Sequence, residues 1–245
     1  MRALLLLAFM VVVALPARAA DVARFRNLGF SPDGRYFAFI EYGVQDGSGF
    51  PYANAFVIDL DHDKWAGSPV RVVTRREAHH AWEARGEALA RIEPLMRQSE
   101  IDELLNGRVL FHAPPWEGLE PAIRARFVLW RHQLGDPRHT YDLRLSTFPL
   151  PGGDCLPGTV ASARGFALDV MAMDSGNGLR LYADKKVPAS RHCVISYAID
   201  RVIHFRPAKG KPRTVVVVRY GYFGFEGLDE RYLAVPVQLP ELGGK

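Results

Sequence analysis

Residues 28–63, LGFSPDGRYFAFIEYGVQDGSGFPYANAFVIDLDHD, constrain the fold more than any other stretch. Ser31-Pro32-Asp33-Gly34 is a tight turn, because proline pre-sets φ at its second position and glycine relaxes its last. Arg35 to Glu41 follows, rich in aromatic and β-branched residues, and reads as a strand. Phe37, Phe39 and Glu41 fall on one face of it, and Tyr36, Ala38 and Ile40 on the other. Asp46-Gly47-Ser48-Gly49 and Phe50-Pro51 break the run. Ala53 to Leu60 is the return strand, closed by the acidic turn Asp61-His62-Asp63. A chain built outward from this hairpin is a β protein.

The same residues carry two resemblances. The string FSPDGRYFAFIEYG followed by NAFVIDLD resembles one blade of the TolB-type, WD-like propeller repeats, with Val44 to Tyr52 lengthening the loop. The longer string EYGVQDGSGFPYANAFVIDLD, together with Gly224-Phe225-Glu226-Gly227, is similar to a family of predicted secreted bacterial proteins of unknown function. That second resemblance covers most of the chain after residue 19 and implies export. It implies no activity.

The start of the chain agrees with export. Met1-Arg2 is basic, Ala3 to Leu15 is unbroken apolar, and Pro16-Ala17-Arg18-Ala19 ends the run in small residues. This is the pattern of a secretory signal peptide cleaved after Ala19. The run is too short to cross ~30 Å of hydrocarbon comfortably, and no later run reaches the ~20 residues a spanning helix needs. Cleavage also removes Arg2 and Arg18, so the formal charge of +4 overstates how basic the mature chain is. The expectation is a periplasmic or secreted protein with no membrane span and a single β-rich domain over 20–245. In an oxidising compartment the two cysteines, Cys155 and Cys193, read as a disulfide.

Thr74-x-x-Glu77 is a capping box, and Ala78, Trp82, Leu89, Ile92 and Met96 recur near helical spacing. Pro94 should interrupt that pattern, Ser99-x-x-Asp102 offers a second cap, and Asn106-Gly107 offers a stop. The spacing predicts two helices, about 75–92 and 95–105, inserted into a β protein. Short strands then return at 108–113, 123–132, 141–149, 166–173, 179–185, 193–206, 213–222 and 231–238, separated by Gly, Pro and Asp clusters. Such spacing suggests a sandwich or a propeller-like β-meander rather than a barrel, and no clean internal repeat runs through it.

Motifs that would carry chemistry are incomplete. Asp59-x-Asp61-x-Asp63 begins like a calcium loop, but an EF-hand needs glycine and glutamate where Lys64 and Val70 stand. A non-standard calcium site drawing also on Asp46 and a solvated strand-end turn are the two readings left. His79-His80-x-x-Glu83 puts His79 and Glu83 on one helical face without an identifiable third zinc ligand. Gly47-Ser48-Gly49 lacks the nucleophile-elbow spacing, and Ser175 sits in a turn sequence. Glu41, Glu117, Glu120 and Glu226 are carboxylates that spatial pairing would qualify for glycoside chemistry. There is no Gly-x-Gly-x-x-Gly and no P-loop, so no cofactor is implied. Lys185, Lys186, Lys209 and Lys211 are not interleaved with aromatics, which disfavours nucleic acid.

The most suggestive constellation is aromatic. Tyr220-Gly221-Tyr222-Phe223-Gly224-Phe225-Glu226-Gly227 sets four rings among glycines, and Phe50-Pro51-Tyr52 does something similar in the first hairpin. If the two loops meet, Phe50, Tyr52, Tyr220, Tyr222, Phe225 and Glu226 form a ring-bearing surface for an envelope protein or glycan. The other reading is that these rings close the ends of the core. The functional expectation is an exported, non-catalytic binding or envelope-associated module. Its rival is an exported hydrolase of cell-wall or polysaccharide material.

Overall fold

The computed structural model describes residues 20–75, 80–113, 120–130, 132, 134–155, 162–172, 178–225 and 227–241. The first hairpin is formed as its sequence dictates. Strand β2 (Tyr36–Val44) pairs antiparallel with β3 (Pro51–Asp59) in unbroken register from Tyr36↔Asp59 to Val44↔Pro51. The turn before it is closed by the Gly34 amide donating to the Ser31 carbonyl at 2.8 Å, with Gly34 at φ +73°. The Ser31 hydroxyl donates to Asp33 and accepts the Tyr36 amide, so both polar side chains serve the turn.

Sheet I adds β1 (Arg24–Phe30) on one side of this hairpin, and β4 (Lys64–Trp65) and β5 (Val70–Val73) along β3 on the other. After the helix α1 (Ala81–Gln98), β6 (Arg108–His112) leaves for a different sheet. Sheet II is a meander of β7 (Arg124–Val128), β8 (Thr140–Pro149), β9 (Arg164–Ala172) and β10 (Gly178–Ala183). Sheet III orders β13 (Leu228–Val237), β12 (Arg213–Phe223), β11 (Val194–Phe205) and then β6. Every strand pairing within the sheets is antiparallel. The protein is thus mainly β, with three antiparallel sheets and no closed barrel among the described residues.

Three apolar clusters fix how the layers stack. Between sheets I and III lie Phe30, Phe37, Phe39 and Phe56 against Ile203, Phe205, Val215 and Val217. Between sheets III and II lie Ile199, Val202, Val216 and Val218 against Leu143, Leu145, Phe166 and Leu168. On the outer face of sheet I, the small side chains Ala38, Ala53 and Ala55 receive Ala84, Ala88, Ile92 and Met96 of α1. The order is helix, sheet I, sheet III, sheet II. Sheet III is therefore covered on both faces. That is why β12 reads Val215-Val216-Val217-Val218 instead of alternating, since a strand buried on both faces has no solvent side to spend on polar residues. Each fully buried valine or phenylalanine contributes ~1.5–3 kcal/mol of apolar transfer.

Two expectations are corrected. Residues 81–98 form one helix, not two, and Pro94 lies inside it. Pro94 is exposed, so the carbonyl one turn back that loses its partner faces water. Ile92 and Met96, on the buried stripe, hold the two halves to sheet I across that gap. Ser99 is not a second N-cap but the helix C-cap. The Glu100 amide donates to Arg97 and the Ile101 amide to Met96, which is a Schellman closure with Glu100 at φ +52°. The helix begins at Ala81 after His80, and Glu77, Ala78 and His79 lie outside the described residues.

Strand β1 has no clear signal in its own sequence. Its register is broken between Asn27 and Gly29, and Phe30 continues into backbone bonds with Asp102 and Leu105. Ahead of it, Asp21 and Ala23 exchange backbone bonds with Glu230, so residues 21–23 run beside the start of β13. Residues 1–19 lie outside the described residues. No helix among the described residues is long and apolar enough to cross a membrane.

A candidate binding site at the ring-bearing loops

The chain reversal between β12 and β13 meets the reversal between β2 and β3. The Phe225 ring lies so close to Gly47 that a β-carbon there would sit 3.0 Å from it, and Gly47 is at φ +77°. The positive φ favours glycine here, and a β-carbon would make the exposed Phe225 ring shift by a few tenths of an ångström. The two glycine-rich loops therefore form one surface, on which Phe223 is 59% and Phe225 79% exposed.

Beneath them sits Arg231, at the start of β13 and almost wholly buried. Its guanidinium donates to the Asp21 carboxylate at 2.5 Å and to the carbonyls of Asp21 and Glu230 at 3.0 and 2.9 Å. It lies 4.4 Å from the centre of the Tyr52 ring and 5.8 Å from that of Tyr222. The Tyr52 hydroxyl donates to the other Asp21 oxygen at 2.8 Å. Burial pushes the Tyr52 phenol well above its ordinary range. Burial likewise raises the Asp21 carboxyl, against the opposing pull of Arg231.

Glu41 shares this interior. It is 3% exposed and faces sheet III with Phe37 and Phe39, as the alternation of β2 requires. It accepts the Asn54 amide at 2.9 Å and the Tyr232 backbone amide at 2.8 Å. Burial raises its carboxyl, with Arg231, Asn54 and the Tyr232 amide acting in the other direction.

A cavity of about 160 Å³ opens beside these groups, lined by Glu41, Asn54, Trp65, Arg71, Arg191, His192, Tyr220, Tyr222 and Arg231. Another wall comes from the connection between β10 and β11. Arg191 ends a short 3₁₀ turn, and one of its nitrogens donates to both Asp184 oxygens at 2.8 Å. His192 lies 4.5 Å ring to ring from Tyr222, and its Nδ1 is 3.1 Å from Asp154. Asp154 and His192 immediately precede Cys155 and Cys193, which form a disulfide with Cα atoms 4.6 Å apart. The disulfide thus clamps the segment that carries the cavity wall.

The sequence-selected residues divide by depth. Tyr52 and Tyr220 are buried, Phe50 and Tyr222 are partly exposed, Phe225 is at the surface, and Glu226 lies outside the described residues. Tyr52 and Tyr220 thus belong to the core, and Phe225 does not. Arg231, Asp21, Arg191 and His192 were not selected. The one sequence signal for Arg231 is a charged residue next to the apolar half of β13.

Asp59, Asp61 and Ser48 serve local structure. Asp59 is buried and bound by Arg35 at 2.9 Å and His62 at 3.0 Å. Burial alone would raise its pKa, but these bonds and the Asp61 amide hold it at about 2. Asp61 pairs with Arg213 at 2.7 Å. Among the described residues no three metal-ligating side chains gather, so Asp59, Asp61 and Asp63 do not converge. Ser48 donates to Gln45 and accepts the Phe50 amide inside its own turn. Ser175 and Glu117 lie outside the described residues, and Glu120 is exposed.

A helix-backed stack of three antiparallel sheets among the described residues defines the chain as a mainly β protein. The chain belongs to a family of predicted secreted proteins, DUF2259, whose model matches residues 38–238. Membership places it among exported proteins of unknown role. No curated protein and no solved structure gives a significant match.

Proposed function

We propose that this is a non-catalytic binding module of the cell envelope or its exterior, which engages an envelope protein or a glycan through the β2–β3 and β12–β13 loops. One observation carries the proposal. Two sequence-distant loops are held ring against glycine, with Phe223 and Phe225 left in solvent. Large exposed rings on a fixed support are the usual anchors of a recognition surface. The support here is fixed from below by the Asp21–Arg231–Tyr52 bonds. At about 160 Å³ the cavity is well under the ~300 Å³ at which whole-ligand pockets begin, so it suits one inserted side chain or sugar substituent.

The test is a cross-linked pull-down from the native envelope fraction with wild type and Phe225→Ala. Phe225 is so exposed that its truncation should change stability by less than about 0.5 kcal/mol. Loss of a stoichiometric partner in that variant supports the surface, and a partner retained at full occupancy rejects it. A glycan partner is distinguished from a protein by its survival of protease treatment.

The hydrolase reading keeps one specific support: Glu41 is a buried carboxyl that lines the cavity and is shifted toward its protonated form. Such a group is suited to donate a proton to a leaving group. Turnover of purified cell-wall or polysaccharide substrates, abolished in Glu41→Gln, would establish that reading.

A further inference from the structure

At the other end of β12 from the ring-bearing loop, a cleft of about 930 Å³ runs between the three sheets. Its size is that of a site for a whole small molecule, which sheet-closing side chains have not filled. Two kinds of residue dominate its lining. One is apolar: Leu60, Leu129, Tyr141, Val237, Leu239 and Pro240. The other is basic and belongs to the β11–β12 reversal, where Arg206 and Lys211 flank the turn. Arg108, paired to His204 across β6 and β11, extends it.

The guanidinium carbons of Arg108 and Arg206 each lie 5.6 Å from the centre of the Trp130 ring. Neither of them, nor Lys211, has a carboxylate within ion-pair distance among the described residues. Arg213 differs, since Asp61 neutralises it. Asp63 and Glu241 also line the cleft, so the positive charge is local to the turn and not a property of the whole cleft. His204 reports that local field. Its imidazole, bonded to Thr214 at 3.0 Å, is held below its ordinary pKa by burial and then by Arg108 and Arg206. Like charges gathered on one ring without an acid repel each other, and an anion between them would relieve that repulsion.

We infer that this cleft binds a single-chain amphiphile with an anionic head, the head at Arg206 and Lys211, with Arg108 behind them on the Trp130 ring, and the apolar chain along Leu60, Leu129, Val237 and Leu239. A free small anion would leave the apolar residues unused, and an uncharged chain would leave Arg206 and Lys211 without a carboxylate partner among the described residues.

Isothermal titration of the purified mature protein tests this with octyl phosphate below its micelle concentration, and with inorganic phosphate and octanol separately. Octyl phosphate should bind one to one and at least tenfold more tightly than either fragment. Arg206→Gln combined with Lys211→Gln should weaken it at least tenfold at unchanged melting temperature, because both side chains are exposed. Leu239→Glu, which puts a charge in the chain's path, should weaken it as well. Absence of octyl phosphate binding, equal binding by the double variant, or phosphate binding as tightly as octyl phosphate would each overturn the inference. The outcome is independent of the Phe225 surface, which none of these changes touches.

Discussion

At the scale of single residues, the interior of this protein holds more charge than a β stack needs. Asp21, Glu41, Asp200, Arg219 and Arg231 are all buried. Arg231 sits among rings and carboxyls, so its removal would strand Asp21 without its cation, at a cost of about 3–5 kcal/mol. Glu41 gives a cleaner test. Its carboxyl is raised in the folded state above the ordinary value near 4.5. The folded state therefore favours the protonated form. Stability from this group is fully present below the unfolded pKa and is lost as pH rises through the folded one. Asp59 has the opposite sign. Held at about 2 against an ordinary 3.8, it contributes stability above pH 3.8 that is lost as pH falls toward 2. Denaturant unfolding followed across pH should show Glu41→Gln flattening the high-pH decline while leaving the acid limb in place. A decline identical in wild type and Glu41→Gln would mean that Glu41 is not shifted. Glutamine keeps an acceptor for Asn54 or the Tyr232 amide, so the variant is expected to fold.

At the scale of elements, α1 shows how packing overrides local preference. Its capping box lies upstream of its actual start, a proline sits in its fourth turn, and a glutamate occupies a left-handed position at its end. None of these is what an isolated helix of this sequence would choose. The helix persists because Ala84, Ala88, Ile92 and Met96 fill the shallow alanine-lined face of sheet I. The Schellman position is the place to recover stability. Glu100→Gly should raise the unfolding free energy by about 0.5–1 kcal/mol, since glycine enters φ +52° without the β-carbon penalty. No gain in chemical denaturation would show that the helix end relaxes in solution. Strand β11 carries the opposite lesson. Its register shifts at Asp200, so Ile199 and Val202 point toward sheet II while Ile203 points toward sheet I. Simple alternation along the sequence would have put Ile199 and Ile203 on the same face.

At the scale of the molecule, sheet III is the layer on which the others depend. Ile199 and Ile203 lie on opposite faces of one strand and are both inaccessible. Ile199→Ala and Ile203→Ala should each cost about 2–5 kcal/mol, measured by denaturant unfolding. A cost below about 0.5 kcal/mol at either would show that one face of the sheet is open to water. The disulfide works at the same scale, tying the segment after β8 to the start of β11 and so sheet II to sheet III. It closes a 38-residue separation, and reduction should lower stability by about 4 kcal/mol in the chain-entropy model. Melting with and without reductant checks this, and a Cys155→Ala/Cys193→Ala variant insensitive to reductant is the control.

The local features were legible in the sequence because they depend on residues close together in the chain. The Ser31–Gly34 turn, the two strands of the first hairpin, most of the later strands and the cysteine pair are of this kind. Strand β1 was missed because Arg24–Phe30 alternates only weakly and is completed by partners from β2 and residues 102–105. The aromatic loops were visible as composition, but their meeting was not, since Gly47 and Phe225 are brought together only by the stacking of sheet I on sheet III. Arg231 and Asp21 stand at opposite ends of the chain, and no local pattern announces a bond between them. The sequence by itself determined the first hairpin, most of the later strands and the disulfide, because these follow from short-range geometry and composition. Only the tertiary structure decided which faces are buried, which charges are paired and which rings reach solvent, because burial is a property of what packs across a gap and not of what comes next in the chain.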